Sequence, residues 1–240
     1  MKTLFSVAGC IIASILLMSS AHAQRGVRDQ DVAARILKVD VFKEVIDDKY
    51  PRIKGISESQ KKDYGIILVE YELGIKDLQR QRSDVGGVYV NELEFEWKVI
   101  LSAESKNIDP NDVVRLETTI QYTDLKVHEA KDRKKQAIVV IDQRLIERYL
   151  SKFDEDGVWW ELRIRCGGKT ILTTRGHGKD FSSSDKEKAE LTPVSKDKKN
   201  LLTSEDVYAR EDGLSSRLDS PFSWYGDENL ERIKSKQDNR

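Results

Sequence analysis

Cysteine is almost missing from this chain. Of 240 residues only two are cysteine, Cys10 and Cys166. Cys10 falls in a leader-like segment, so no framework of intramolecular disulfides can hold the fold. A lone Cys166 is expected as a small apolar side chain in the core. Histidine is scarce too, with three in the chain. Beyond the leader stand His128 and His177, and neither has a second His or a Cys at metal-ligand spacing. No G-x-S-x-G elbow is present to carry a nucleophile. Charge of one sign is not in excess: Lys+Arg number 41 and Asp+Glu 42, which argues against nucleic acid as a general partner. No internal repeat of solenoid or propeller length appears. Catalytic residues, metal ligands and cofactors are therefore all expected to be none.

Long apolar runs are confined to the start. Lys2 supplies a positive charge, Leu4 to Met18 is apolar, and Ala21–Ala23 reads as an A-x-A cleavage site. This pattern predicts a signal peptide over 1–23, because the run falls short of the roughly 20 residues a membrane span needs. Gln24 stands where a lipid-anchored protein would have cysteine, and no cut precedes the apolar run as it would in a prepilin. Export by the general secretory route to the periplasm or beyond the cell is expected, with no membrane-spanning segment. The 217 residues that remain suit one domain with extensions. We expect an arm over 24–32, a domain over 33–178 and a charged extension over 179–240.

Within that domain the dominant signal is a period of two. Leu37, Val39 and Val41 alternate with Lys38 and Asp40, and Ile67, Val69, Tyr71 and Leu73 with Leu68, Glu70 and Glu72. The cleanest run sets Leu93, Phe95, Trp97 and Val99 against Glu92, Glu94, Glu96 and Lys98. Such alternation predicts antiparallel strands with one dry face and one wet face. Leu116 to Tyr122 continues it, and a change of parity at Leu125 and Val127 predicts a β-bulge near Thr123–Asp124. Ala137–Ile141 reads as a buried strand. Trp160, Leu162, Ile164 and Cys166 share one face of another, and Gly167–Gly168 turn it into Lys169–Thr174. One segment departs from this period. Leu145, Ile146, Tyr149, Leu150 and Phe153 form a helix face with Asp142 as N-cap. The expected fold is mainly β: an antiparallel, immunoglobulin-like β-sandwich of about seven strands with one packed helix.

"GGKT" at Gly167–Thr170 has the ending of a phosphate loop, but Arg163 stands where the motif needs glycine and a strand follows where it needs a helix. The hairpin reading stands. Trp159 shares parity with Glu161 and Arg163 and is expected on the outer face. There it serves as a candidate for stacking on a sugar or filling a partner's pocket, or it lies beneath the C-terminal extension.

From Lys179 only 16 of 62 residues are apolar, about a quarter, against 38% for the chain. That composition predicts a mobile extension with short helical candidates. Thr203–Asp206 reads as a capping box, and Asp227 as the cap of a helix over Glu228–Lys234. Within it, Phe222, Trp224 and Tyr225 stand together behind Pro221. With Leu230 and Ile233 they form a docking segment over 220–234, for this domain or for a neighbour.

"NELEFEWKVIL" (Asn91–Leu101) and "DGVWWELRIRCGGKTILTTRG" (Asp156–Gly176) resemble strands of the secreted, immunoglobulin-like, pilus-associated proteins of gut verrucomicrobia. The resemblance covers roughly 33–175. It implies a non-enzymatic structural or interaction protein of the cell envelope, a pilus-like or surface-assembly component. A protein partner or self-association, and so a homo-oligomer, goes with it. Two other classes stay open on the residues: a carbohydrate-binding module, whose only candidate platforms are Trp159 and Trp224, and a hydrolase with an unrecognised site. An aromatic row on a flat face would favour the first, and two close carboxylates in a cleft the second.

Overall fold

The computed structural model describes residues 32–46, 62–75, 89–104, 107–126, 134–150, 152–216, 219–220 and 232–233. Seven strands are long: β1 (Val32–Ile46), β2 (Lys62–Ile75), β3 (Tyr89–Leu101), β4 (Val114–Lys126), β5 (Lys134–Ile141), β6 (Val158–Cys166) and β7 (Lys169–His177). Four are short: β8 (Asp180–Ser182), β9 (Ala209–Arg210), β10 (Leu214–Ser216) and β11 (Arg232–Ile233). Among the described residues two α-helices complete the set, α1 (Gln143–Tyr149) and α2 (Asp185–Glu190).

The strands form two sheets. The first has the order β1-β2-β5-β10 and the second β11-β4-β3-β6-β7-β8, with β9 also against β4. Their pairings are antiparallel except for β9, which runs parallel to β4. The sheets face each other across the alternating apolar positions read from the sequence, except in β1, where a bulge at Leu37 puts Ile36 in the core in its place. Val39, Val41, Ile67, Val69, Tyr71 and Leu73 of the first sheet meet Leu93, Phe95, Trp97, Val99, Leu162 and Ile164 of the second in one cluster. Cys166 is buried there as well, so its thiol serves as core. Phe95 lies between two phenol rings, 5.1 Å from Tyr71 and 4.8 Å from Tyr122. The fold is a β-sandwich.

Bulges occur, but not where parity predicted one. The β3–β4 register runs unbroken through Val90↔Leu125, Glu92↔Thr123 and Leu93↔Tyr122. Val90 and Leu125 are both buried, as are Leu93 and Tyr122. Both strands of the pair therefore change face together, and no extra residue is inserted between them. The register shifts lie instead at Leu37 in β1 and at Ile171 in β7.

The helix forms as its spacing predicts. The Asp142 carboxylate accepts the Arg144 N–H at 2.8 Å, and Leu145 and Ile146 are buried against the main core. Phe153 reaches the core over Gly65, where a Cβ would fall 2.7 Å from the ring. Gly167 and Gly168 turn the β6–β7 hairpin with φ of 54° and 76°, a two-residue loop of the kind that suits strand twist.

The segment from 179, expected as a mobile charged extension, is over 180–216 built into the sandwich. β8 extends one sheet edge and β10 closes the β5 edge, pairing Leu214 with Ile141. β9 lies against β4 at Arg115 and Leu116. Leu201, Leu202, Val207 and Leu214 are each buried to within a few per cent. Apolar content is low here, but these four side chains are all placed in the core. The helical candidates are corrected too. Thr203–Asp206 lies in turns, and Arg232–Ile233 is a strand on β4 rather than part of a helix over Glu228–Lys234. A seven-residue helix with two apolar side chains is marginal alone, whereas an open strand edge offers ready backbone partners. The helix that does form lies at Asp185–Glu190, steadied by a Lys188–Asp185 pair at 3.0 Å.

Candidate interaction sites

Adjacent residues on a strand face opposite ways, and Trp159 and Trp160 do so. Trp160 enters the main core and donates its indole N–H to Gly178 O at 2.9 Å. Trp159 points to the outer face of the second sheet, yet it is only 5% exposed. It packs in a separate apolar cluster with Ile100, Ile108 and Val113 from beneath and Leu201, Leu202 and Val207 from the C-terminal layer. His177 stacks on it, ring centroids 3.6 Å apart and planes within 11°. The expectation of a solvent-facing platform for sugar or partner is thus corrected in favour of the covered reading. Burying each of those aliphatic side chains stabilises by about 1.5–3 kcal/mol, enough to hold a short layer over the indole.

Of the docking segment, Ile233 lies in β11, its backbone opposite Tyr122 on the outer edge of β4, with Arg232 opposite Thr123. Phe222, Trp224, Tyr225 and Leu230 lie outside the described residues.

The acidic residues of the sheet faces have structural partners. On β3 and β6, Arg165 Nη1 lies 2.8 Å from Glu96 and 3.5 Å from Glu94, and Arg163 Nη1 lies 3.4 Å from Glu96. The Glu96 carboxylate holds the Arg165 guanidinium above its ordinary pKa. Glu161 is 2% exposed beneath the C-terminal layer, bound to Arg175 Nε at 2.5 Å and facing Arg163 at 3.6 Å. A buried carboxylate so placed costs several kcal/mol if its partner is lost. These acids are bridged by arginines on a sheet face and do not form the paired carboxylates of a cleft that a glycosidase uses. Cys166 and His177 lie toward opposite ends of the β6–β7 hairpin, roughly 23 Å apart at strand rise. That separation excludes them as a nucleophile–base pair. Among the described residues, no three His, Cys, Asp or Glu gather as a metal-binding group, and Tyr208 alone among large apolar side chains is strongly exposed.

One cleft escaped the sequence reading. It lies beside α1, and its walls are Asp142, Arg144 and Arg148 on one side and Arg210 and Asp212 on the other. Asp142 and Asp212 raise the pKa of the arginine each binds, and Arg210 holds the Asp212 carboxyl below its usual value. The two groups of residues are far apart in sequence, and one belongs to a segment without periodicity, so no local motif could join them.

No protein-family model matches the chain, and no curated protein matches it. A solved structure from Akkermansia muciniphila is similar in fold, with a TM-score of 0.58 and 13% identity, covering 85% of this chain and 94% of that one.

Proposed function

We propose that the protein is a non-enzymatic structural or interaction component of the cell envelope, exported and pilus-like or part of a surface assembly. The observation that carries this reading is the use of sheet edges. The last described residues, Arg232–Ile233, add as a strand to the outer edge of β4. Strand addition at an edge is a general mode of protein recognition, and the same pairing made between two copies would link them. Likeness in fold to a protein of a gut verrucomicrobium, the group named by the sequence resemblance, supports the same reading. So does the engagement of Glu94, Glu96 and Glu161 in arginine bridges. Among the described residues no helix is long and apolar enough to cross a membrane.

The test uses the chain from Gln24 onward, measured for mass in solution and as bait on envelope fractions. If the segment docks on a neighbour, replacing Phe222, Trp224 and Tyr225 together with Ser is expected to lower the oligomeric state or abolish capture with the melting temperature unchanged. If it docks on its own β4 edge, as Arg232–Ile233 do, the change is expected to lower the melting temperature without altering mass. Retention by neutral glycans would favour a carbohydrate-binding module. Turnover of glycoside, ester or peptide substrates would favour a hydrolase. Either result overturns the reading.

A further inference from the structure

The cleft beside α1 has a volume of about 190 Å³. Its floor is apolar and tight: Leu145 is buried, and Gly213, at φ +104°, lies where a Cβ would fall 2.1 Å from the Leu145 Cδ1. Its walls carry uneven charge. Three guanidiniums, of Arg144, Arg148 and Arg210, face two carboxylates, of Asp142 and Asp212. Both carboxylates are engaged. Asp142 accepts Arg144 Nε at 3.1 Å and Nη2 at 2.9 Å besides capping α1. Asp212 accepts Arg210 Nε at 2.7 Å and its Nη2 as well. Arg148 is different. Among the described residues its guanidinium makes no ion pair and lies over the Tyr149 ring, 5.3 Å from the centroid.

We propose that this cleft receives a carboxylate from an acidic segment of a protein partner, with Arg148 as its bidentate partner and Arg144 and Arg210 flanking it. The planar fork of Arg148 matches a carboxylate in geometry, and its donors are not spent on another anion. The cleft carries one more positive than negative group, and its apolar floor removes water from one side of an incoming anion. Tyr149 lies under the Arg148 guanidinium, and Tyr208, two residues before Arg210, is 72% exposed. Exposed Tyr beside Arg is the composition of protein-binding hot spots. This inference stands on the cleft alone and does not depend on where in the cell the protein works.

The test is fluorescence anisotropy of a labelled hexaglutamate peptide titrated with the chain from Gln24 onward at low salt. Saturable binding is expected, absent for hexaglutamine and weakened at least tenfold by Arg148→Gln. Arg148 is exposed, so that variant is expected to melt like the parent. Arg148→Lys keeps the charge and loses the fork, and is expected to bind between the two. Full binding by Arg148→Lys would overturn the bidentate role. Absence of hexaglutamate binding, or binding indifferent to both Arg148→Gln and Arg210→Gln, would overturn the site. Tighter binding of oligogalacturonate would assign the cleft to acidic glycans, and displacement by inorganic phosphate at equal concentration to a free oxyanion. Either overturns the protein partner.

Discussion

Trp97 and Glu94 stand three positions apart on β3 and face opposite sides of the sheet. Trp97 is 1% exposed and packs against Trp160, ring centroids 6.3 Å apart. Glu94 is half-buried on the outer face and shares Arg165 with Glu96. Trp97→Ala is therefore expected to cost about 3–5 kcal/mol in urea unfolding, and Glu94→Ala less than about 1. Equal losses would mean the register of β3 is wrong. Gly176 makes a sharper case. A Cβ there would fall 2.2 Å from the Trp160 indole and 2.5 Å from the Asp180 carbonyl oxygen, so backbone and ring would both have to move. Gly176→Ala is expected to destabilise by at least about 1–3 kcal/mol, as overpacking does, and to shift tryptophan emission. The Trp97 result was legible in the sequence, because strict alternation assigns a face to every residue of a long strand. The demand on Gly176 was not, because it arises from a neighbour across the β6–β7 pair.

Elements sort by the same criterion. Most long strands display a period, β5 shows an unbroken apolar run, β7 follows from the Gly167–Gly168 turn, and α1 displays a face and a cap, so all could be read before the fold was known. The C-terminal layer could not. β9 and β10 are two and three residues long, and a period needs more. Leu201 and Leu202 sit in a turn where Leu202 N–H bonds the Asn200 side chain at 3.0 Å and Arg115 reaches the Ser204 carbonyl at 2.6 Å. Composition alone suggested solvation for this segment, but burial depends on where the few apolar groups land. Leu201→Ala and Leu202→Ala are each expected to cost about 2–5 kcal/mol, where a solvated tail would give nearly none. Chemical denaturation of the two variants decides the matter. Trp159 is covered for this reason, and the candidate aromatic platform was lost with it.

Across the whole molecule, charge also acts on the C-terminal layer, one pair joining it to the loop before β4 and another bracing it internally. Asp109 pairs with Lys196 at 3.2 Å, and Asp206 with Lys199 at 2.6 Å. Hydrogen bonds hold both carboxyls below their usual value, Asp109 chiefly through the Asn111 backbone N–H and Asp206 chiefly through Lys199. A carboxyl depressed in the folded state adds stability that is fully present above its unfolded pKa and is lost as pH falls through the folded one. An aspartate carboxyl ordinarily titrates at about 3.9, so these pairs act fully at neutral pH and fail in acid below it. The melting temperature is expected to be level between about pH 6 and 8 as far as these pairs go, and to drop below about pH 4. Asp109→Asn is expected to narrow that drop, and an unchanged acid limb would rule out the Asp109 pair as a contributor. Asp206 is exposed and Asp109 partly so, so the effect is modest and fades in high salt.

The strap from β9 to β10 crosses from one sheet to the other at the turn through Gly213, and its partners, Arg115, Leu116 and Ile141, come from far earlier in the chain. A polypeptide emerges from the ribosome N-terminus first, so the seven long strands are all synthesised before the segment that closes their open edges. At about 5–20 residues per second, the β4 and β5 edges wait several seconds for it. During that interval the nascent chain has its whole sandwich core but two unsealed borders. Timing of synthesis, rather than final stability, then governs how much of the product aggregates. Slowing elongation after residue 182 should raise the insoluble fraction, and supplying the missing segment as a separate peptide should lower it.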